Sequence, residues 1–129
     1  MTIALAYLAW TLVLAVAQVA LASGAKRRQD TLAWASGNRD DPPPHYTGLA
    51  ARMTRAQANL YEGLPLFIGA VLLSHAAGRD GTLAAWGAGL YFWARVAYVP
   101  AYAFGAAPLR SACWAVSVVG LVLVLVSLA

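Results

Sequence analysis

The sequence predicts an all-helical integral membrane protein, built as a four-helix up-and-down bundle. Hydrophobic residues make up 61% of the 129 residues and charged residues only 11%, and the mean hydropathy is +0.63. This composition is typical of membrane proteins. Four apolar stretches each approach the roughly 20 residues needed to cross about 30 Å of hydrocarbon. A chain of this length corresponds to one domain, so we expect residues 1–129 to form a single transmembrane domain.

The four helices are predicted over residues 3–22, 55–77, 82–104 and 111–129. The first has an alternative interpretation as a cleavable signal peptide, because its apolar run ends in Ala-Leu-Ala at residues 20–22. No lysine or arginine precedes that run, however, and Lys-Arg-Arg-Gln follows it at residues 26–29. This order of charges favours a helix that is retained in the membrane.

The three connections between these helices differ in length and charge. The first, residues 23–53, is long and polar and contains Asp-Asp-Pro-Pro-Pro-His, whereas residues 78–81 and 105–110 form short turns. Basic residues concentrate in the first and third connections and their flanks: Lys26, Arg27, Arg28, Arg39, Arg52, Arg55 and Arg110. The positive-inside rule therefore places these two connections in the cytosol and both termini on the opposite side. The net charge of +4 is a topology signal, and we expect no nucleic-acid partner.

Polar residues form a stripe on each of the two middle helices. Arg55, Asn59 and Glu62 are spaced i, i+4, i+7 and share one face of the second helix. Arg95, Tyr98 and Tyr102 follow the same logic on the third helix, and Tyr91 lies one turn earlier. A charged group facing lipid at mid-depth costs at least about 2.5 to 3.5 kcal/mol on insertion scales. These side chains must therefore face protein or water.

Two interpretations of the stripes are open at this point. Glu62 and Arg95 could neutralise each other between helices and fix their register. The stripes and Arg110 nevertheless contain three arginines and only one carboxylate, and an internal pair would leave the other arginines without an anion. This surplus favours a binding site for an acidic, polar ligand where helix faces meet.

The runs RAQANLYEGLPLF at residues 55–67 and YFWARVAYVPAYAFGAAPLRS at residues 91–111 resemble the MAPEG family, the membrane-associated proteins in eicosanoid and glutathione metabolism. The resemblance covers the four-helix layout, the long basic first connection and both stripes. It implies a homotrimer in the membrane, of bacterial inner-membrane type, with glutathione bound in clefts between neighbouring subunits.

The resemblance also implies roles for individual residues. Glutathione contacts are expected from the second helix at Arg55, Asn59 and Glu62, from the third at Arg95, Tyr98 and Tyr102, and from the first at Lys26 or Arg27. Arg110 matches the arginine that stabilises the glutathione thiolate, and Ser111 beside it could donate a hydrogen bond to the same sulfur. A fixed cation near a thiol lowers its pKa and raises its thiolate fraction near neutral pH.

Three function classes follow from these observations. The first is a glutathione transferase or peroxidase acting on lipophilic electrophiles that arrive through the bilayer. The second is a catalytically silent protein of the same fold, and the third is a small four-helix multidrug-type transporter. The number of arginines argues against the transporter. We expect no metal site, because neither His45 nor His75 has a partner at ligand spacing, and the single cysteine, Cys113, can form no intramolecular disulfide.

Overall fold

The computed structural model describes all residues, 1–129, and contains five helices and no strand. They are α1 (Ile3–Arg27), α2 (Leu32–Ser36), α3 (Gly48–Ala76), α4 (Thr82–Ala103) and α5 (Ala107–Val126). The all-helical class is therefore confirmed, but the predicted count of four helices is not, because the structure contains a fifth, short helix. The additional helix is a short one inside the first connection, where the Thr31 hydroxyl accepts a hydrogen bond from the Trp34 backbone amide and caps a five-residue turn.

Three of the long helices, α1, α3 and α5, are long and apolar enough to cross a membrane by length and composition. The fourth long helix, α4, is of similar length but does not reach that hydropathy. It contains glycine, tryptophan, tyrosine and the buried Arg95, all of which lower the mean. The chain is thus an integral membrane protein in which the helix that carries the buried arginine falls below the hydropathy of a typical span.

Three helices extend beyond their predicted ends. α1 continues five residues beyond Ala22 and α3 begins seven residues before Arg55, while α5 begins four residues before Ser111. The added segments are rich in alanine, arginine, lysine and leucine, which have high helix propensity. A hydropathy pattern ends where the apolar residues end, but a helix continues into water while each added residue completes another hydrogen bond. Three residues predicted to lie in connections therefore lie on helices: Lys26, Arg27 and Arg110. Ser111 lies on a helix as predicted.

Two glycines follow the ends of α3 and α4. Gly78 follows α3 with φ of 65° and Gly105 follows α4 with φ of 72°, a left-handed conformation that costs glycine little. At each end the next amide bonds back across the turn, from Arg79 to the Ser74 carbonyl and from Ala106 to the Ala101 carbonyl. These compact ends make the antiparallel connections α3–α4 and α4–α5 short.

The most extensive helix contact is between α4 and α5, and two glycines make it possible. A Cβ atom built on Gly87 would lie 2.7 Å from the Gly120 carbonyl oxygen, and one built on Gly120 would lie 2.6 Å from the Gly87 carbonyl oxygen. Small residues of this kind let membrane helices approach to backbone contact. α1 packs on the other side, against α3 and α4.

The buried residues form two clusters at opposite ends of the bundle. One is apolar and centres on Phe67, Val71, Tyr91 and Val124. The other contains Tyr98, Tyr102, Met53 and Cys113 and is surrounded by arginines. The polar stripes predicted from the sequence thus converge on the second end of the bundle, the end from which the long first connection emerges.

Candidate functional site

Asn59 on α3 and Arg95 on α4 join the two predicted stripes. The Arg95 Nη1 atom donates a hydrogen bond of 2.6 Å to the Asn59 side-chain oxygen. Arg95 is only 4% exposed, and its guanidinium carbon lies 5.4 Å from the ring centre of Tyr91 and 5.5 Å from that of Tyr98. Arginine stacks well on aromatic faces. The two tyrosines therefore hold the buried cation in one orientation.

The internal pair between Glu62 and Arg95 does not form within this chain. The side chains at salt-bridge distance in the structure are His75 and Asp80, at the other end of the bundle. Glu62 is exposed and accepts no hydrogen bond. The Arg95 Nε and the Tyr91 hydroxyl are buried without a hydrogen-bond partner. A buried unpaired polar group is expensive, so these two atoms carry an uncompensated desolvation cost in the single chain.

A second group of contacts surrounds Tyr102, where α3, α4 and α5 meet. The Arg55 Nε donates to the Tyr102 hydroxyl at 3.3 Å. The Arg110 guanidinium lies over the same ring, 4.8 Å from its centre. Tyr102 and Tyr98 pack against each other with their ring centres 5.5 Å apart. One aromatic pair therefore places three arginines, Arg55, Arg95 and Arg110, at one end of the bundle.

Two residues of this region carry roles that the sequence pattern did not reveal. Gly63 lies one turn after Asn59, and a Cβ atom there would sit 3.2 Å from the Tyr91 hydroxyl and 3.3 Å from the Arg95 Nη2. Its missing side chain thus leaves room for both groups. Arg52 donates through Nε to the Ala103 carbonyl at 3.0 Å, which satisfies an orphan acceptor at the α4 C-terminus. In the sequence, Gly63 follows Asn59 by four residues and Arg52 precedes Arg55 by three. These helical spacings were the signals that could have identified both residues.

The remaining predicted residues make no hydrogen bond to the two stripes in this chain. The Lys26 ammonium group, on the last turn of α1, lies 5.5 Å from the ring centre of Tyr46. Arg27 is exposed, and Ser111 is exposed beside Arg110 on α5. None of the three makes a hydrogen bond to the stripes. The structure therefore brings together Arg55, Asn59, Arg95, Tyr98, Tyr102 and Arg110, and leaves Glu62, Lys26, Arg27 and Ser111 outside this group.

No group of three histidine, cysteine, aspartate or glutamate side chains is close enough to hold a metal ion. Cys113 is a buried free thiol in the cluster that contains Tyr98 and Tyr102. The polar chemistry of this end of the bundle thus comes from guanidinium, amide and phenol groups.

The fold and the site define a class of protein: a small helical membrane protein with three arginines around an aromatic pair at one end of its bundle. Comparison with known proteins agrees with this class. The model of the MAPEG family matches residues 1–129, the whole chain, and the chain belongs to that family. It is therefore, at the level of the family, a glutathione-related membrane protein. No curated protein and no solved structure matches the chain significantly.

Proposed function

We propose that this protein binds glutathione at the two stripes and acts as a glutathione transferase or peroxidase on lipophilic electrophiles. The observation that supports this most strongly is the cluster of three arginines around Tyr98 and Tyr102, which has no carboxylate partner in the chain. Positive charge of this density inside a membrane protein is costly. It is explained by a ligand that brings its own anionic groups.

The residues present fit glutathione group by group. The peptide carries carboxylates, amides, an ammonium group and a thiol. Arg55 and Arg95 suit the carboxylates, because arginine recognises them through paired hydrogen bonds. The Asn59 amide both donates and accepts, as a peptide bond requires, and the free Glu62 carboxylate suits the ammonium group. The Tyr98 and Tyr102 hydroxyls add hydrogen-bond donors beside these groups.

The chemical step depends on Arg110 and Ser111. Bound glutathione would supply a sulfur nucleophile. Arg110 is held over the Tyr102 ring, and a fixed cation of this kind lowers the pKa of a neighbouring thiol. Ser111 follows on the same turn of α5 and is exposed, so its hydroxyl is free to donate to the same sulfur. The electrophile would reach this end of the bundle from the lipid.

We propose further that the site is completed between subunits of a homotrimer. Arg55 and Glu62 lie at the surface of the single chain, and Lys26 and Arg27 make no bond to the stripes of their own chain. A neighbouring subunit would bring such residues together. Native mass spectrometry in detergent tests this arrangement. A trimer is expected, and a clean monomer or dimer would remove the intersubunit site.

Binding is tested by titrating purified protein with glutathione and following thiolate absorbance in the ultraviolet across pH. Glu62→Ala should weaken binding by about 1.5 to 3 kcal/mol, the usual range for a charge-assisted hydrogen bond. The matched control is Asp41→Ala, which removes an exposed carboxylate from the first connection and should leave affinity unchanged.

Arg110→Ala separates binding from activation. It should leave affinity nearly intact while raising the pKa of the bound thiol, because it removes the cation and keeps the peptide contacts. Wild-type protein without saturable binding would instead indicate the catalytically silent member of the family. Saturable binding with no change in the pKa of the glutathione thiol would support the binding site but exclude the transferase mechanism.

A further inference from the structure

A cavity lies at the end of the bundle opposite the arginine cluster. It is a groove of about 760 Å³ between the start of α1 and the first half of α4. Ile3 and Tyr7 form one wall, and Trp86 and Trp93 lie on the other. These two tryptophans are 69% and 61% exposed, so nothing in the chain covers them. Exposed apolar surface of this kind marks a place where lipid or a partner binds.

The groove has one charged end and an apolar body. Asp80, in the turn before α4, lies at the charged end. From Thr82 the groove follows α4 to Trp93, and eleven residues of helix correspond to about 16 Å. Ala85 and Leu90 line this body together with the two tryptophans. A cavity of this shape suits an amphiphile with a cationic head and an apolar chain.

The carboxylate at the charged end has no permanent cation as its partner. One Asp80 oxygen bonds the His75 Nδ1 at 2.6 Å, and His75 is the residue at ion-pair distance. The Thr2 side chain and the Asp80 backbone also favour the ionised carboxylate, but neither brings a positive charge. Arg79 precedes Asp80 in the chain and is exposed. Its long side chain can reach a phosphate that lies next to an ammonium group bound at Asp80.

We propose that the groove binds an aminophospholipid of the phosphatidylethanolamine type. Its primary ammonium group hydrogen-bonds to Asp80, its phosphate faces Arg79 and one acyl chain follows Trp86 and Trp93. A trimethylammonium head has no N–H to donate and fits Asp80 less well. Tryptophan rings are common at the level of the headgroups and attract cations through their faces. This proposal rests on a different end of the bundle from the glutathione site and is independent of it.

The test uses quenching of tryptophan fluorescence by brominated lipids. A full-length variant keeps Trp86 as its sole tryptophan, with phenylalanine replacing Trp10, Trp34, Trp93 and Trp114. It is reconstituted in phosphatidylcholine bilayers with either brominated phosphatidylethanolamine or brominated phosphatidylcholine at the same mole fraction. We expect a preference for the ethanolamine lipid of about threefold, the size of a partly exposed ion pair.

Three further substitutions in this background assign the preference to Asp80. Asp80→Asn should abolish it. His75→Ala, which breaks the internal pair but keeps the carboxylate, should retain it, and the control Asp41→Asn at the other end of the bundle should leave it unchanged. Equal quenching by the two lipids, or a preference that survives Asp80→Asn, would overturn the proposal. Absence of quenching by both lipids would also overturn it, because a second copy of the chain would then cover the groove.

Discussion

At the scale of single residues, the central feature is a buried arginine whose hydrogen-bond partner in the chain is an amide. Arg95 bonds Asn59 at 2.6 Å and lies between two tyrosine rings. An amide accepts a hydrogen bond without cancelling the charge. Arg95 therefore remains a cation able to attract an anionic ligand, whereas a salt bridge with Glu62 would have neutralised it.

This pairing predicts a specific stability effect. Asn59→Ala should lower the free energy of unfolding by about 1 to 3 kcal/mol, the cost of leaving a buried donor without its acceptor. The loss should shrink when Arg95→Met is already present, because the two residues act as a pair. Denaturant unfolding in detergent micelles measures both values. Gln57→Ala, on the same helix, is the control, and additive losses for Asn59 and Arg95 would contradict the pairing.

The contact with His75 predicts a pH effect at Asp80, which lies in the turn between α3 and α4, outside the membrane-spanning segments. The hydrogen bond from His75 lowers the pKa of Asp80 below its ordinary value of 3.8. A carboxyl group whose pKa is lower in the folded state than in the unfolded state stabilises the fold at pH values above its unfolded-state pKa. This stabilisation is lost as the pH falls through the folded-state pKa. Carbon NMR of the labelled carboxyl groups should show the Asp80 pKa rising in His75→Ala. An Asp80 titration that is unchanged in this variant would exclude His75 as the main cause of the lowered pKa.

At the scale of elements, the contact between α4 and α5 positions the site. Gly87 and Gly120 bring the two backbones together, and a Cβ on Gly120 would also lie 2.6 Å from the Tyr91 backbone nitrogen. Tyr91 in turn stacks on Phe67 with ring centres 3.9 Å apart and flanks Arg95. A close helix crossing deep in the bundle thus fixes the wall against which the arginine lies.

Gly120→Ala should therefore destabilise the protein by about 1 to 3 kcal/mol, as overpacking of a rigid contact does. The atoms that a new methyl group would meet belong to backbone, which cannot move aside. The matched control is Gly69→Ala on α3, where a Cβ would meet nothing within 4 Å and helix propensity favours alanine. Thermal unfolding in detergent compares the two variants, and equal stability would contradict the close crossing.

At the scale of the whole molecule, the two ends of the bundle differ in charge. Arg52, Arg55 and Arg110 lie at one end together with the basic residues of the first connection, while Asp80 and His75 lie at the other. The first connection is held in place by two hydrogen bonds between the Gln29 side chain and the Thr47 backbone, and by Tyr46 donating to Asp30. The positive-inside rule predicts membrane orientation from such a difference in the number of basic residues between the two ends.

The asymmetry predicts orientation. We expect all four long helices to cross the membrane, so the first and third connections should lie in the cytosol and the C-terminus on the opposite side. Reporter fusions placed after Ala129 and within residues 40–45 should give opposite signals. A cytosolic C-terminus would contradict this orientation, and it would also move the aminophospholipid groove to the cytosolic leaflet.

The composition and periodicity of the sequence determined the all-helical membrane class, because a bilayer leaves a chain few ways to satisfy its backbone. The spacing of Arg55, Asn59 and Glu62 also determined that they share a face, since α3 is continuous from Gly48 to Ala76. Helix ends and the short α2 were not determined, because they depend on caps and local bonds beyond the apolar runs.

Only the tertiary structure decided which polar groups meet. The periodicity of each helix fixes a face but not its rotation toward a neighbour, so Arg95 could have paired with Glu62 as readily as with Asn59. The crossing at Gly87 and Gly120 sets the rotation of α4 about its own axis. Any residue of α4 other than glycine at this crossing would place a Cβ atom against the backbone of α5. The same packing exposes Glu62 and leaves Arg95 without a carboxylate partner. It also opens the groove between α1 and α4, whose walls come from residues more than seventy positions apart in the chain.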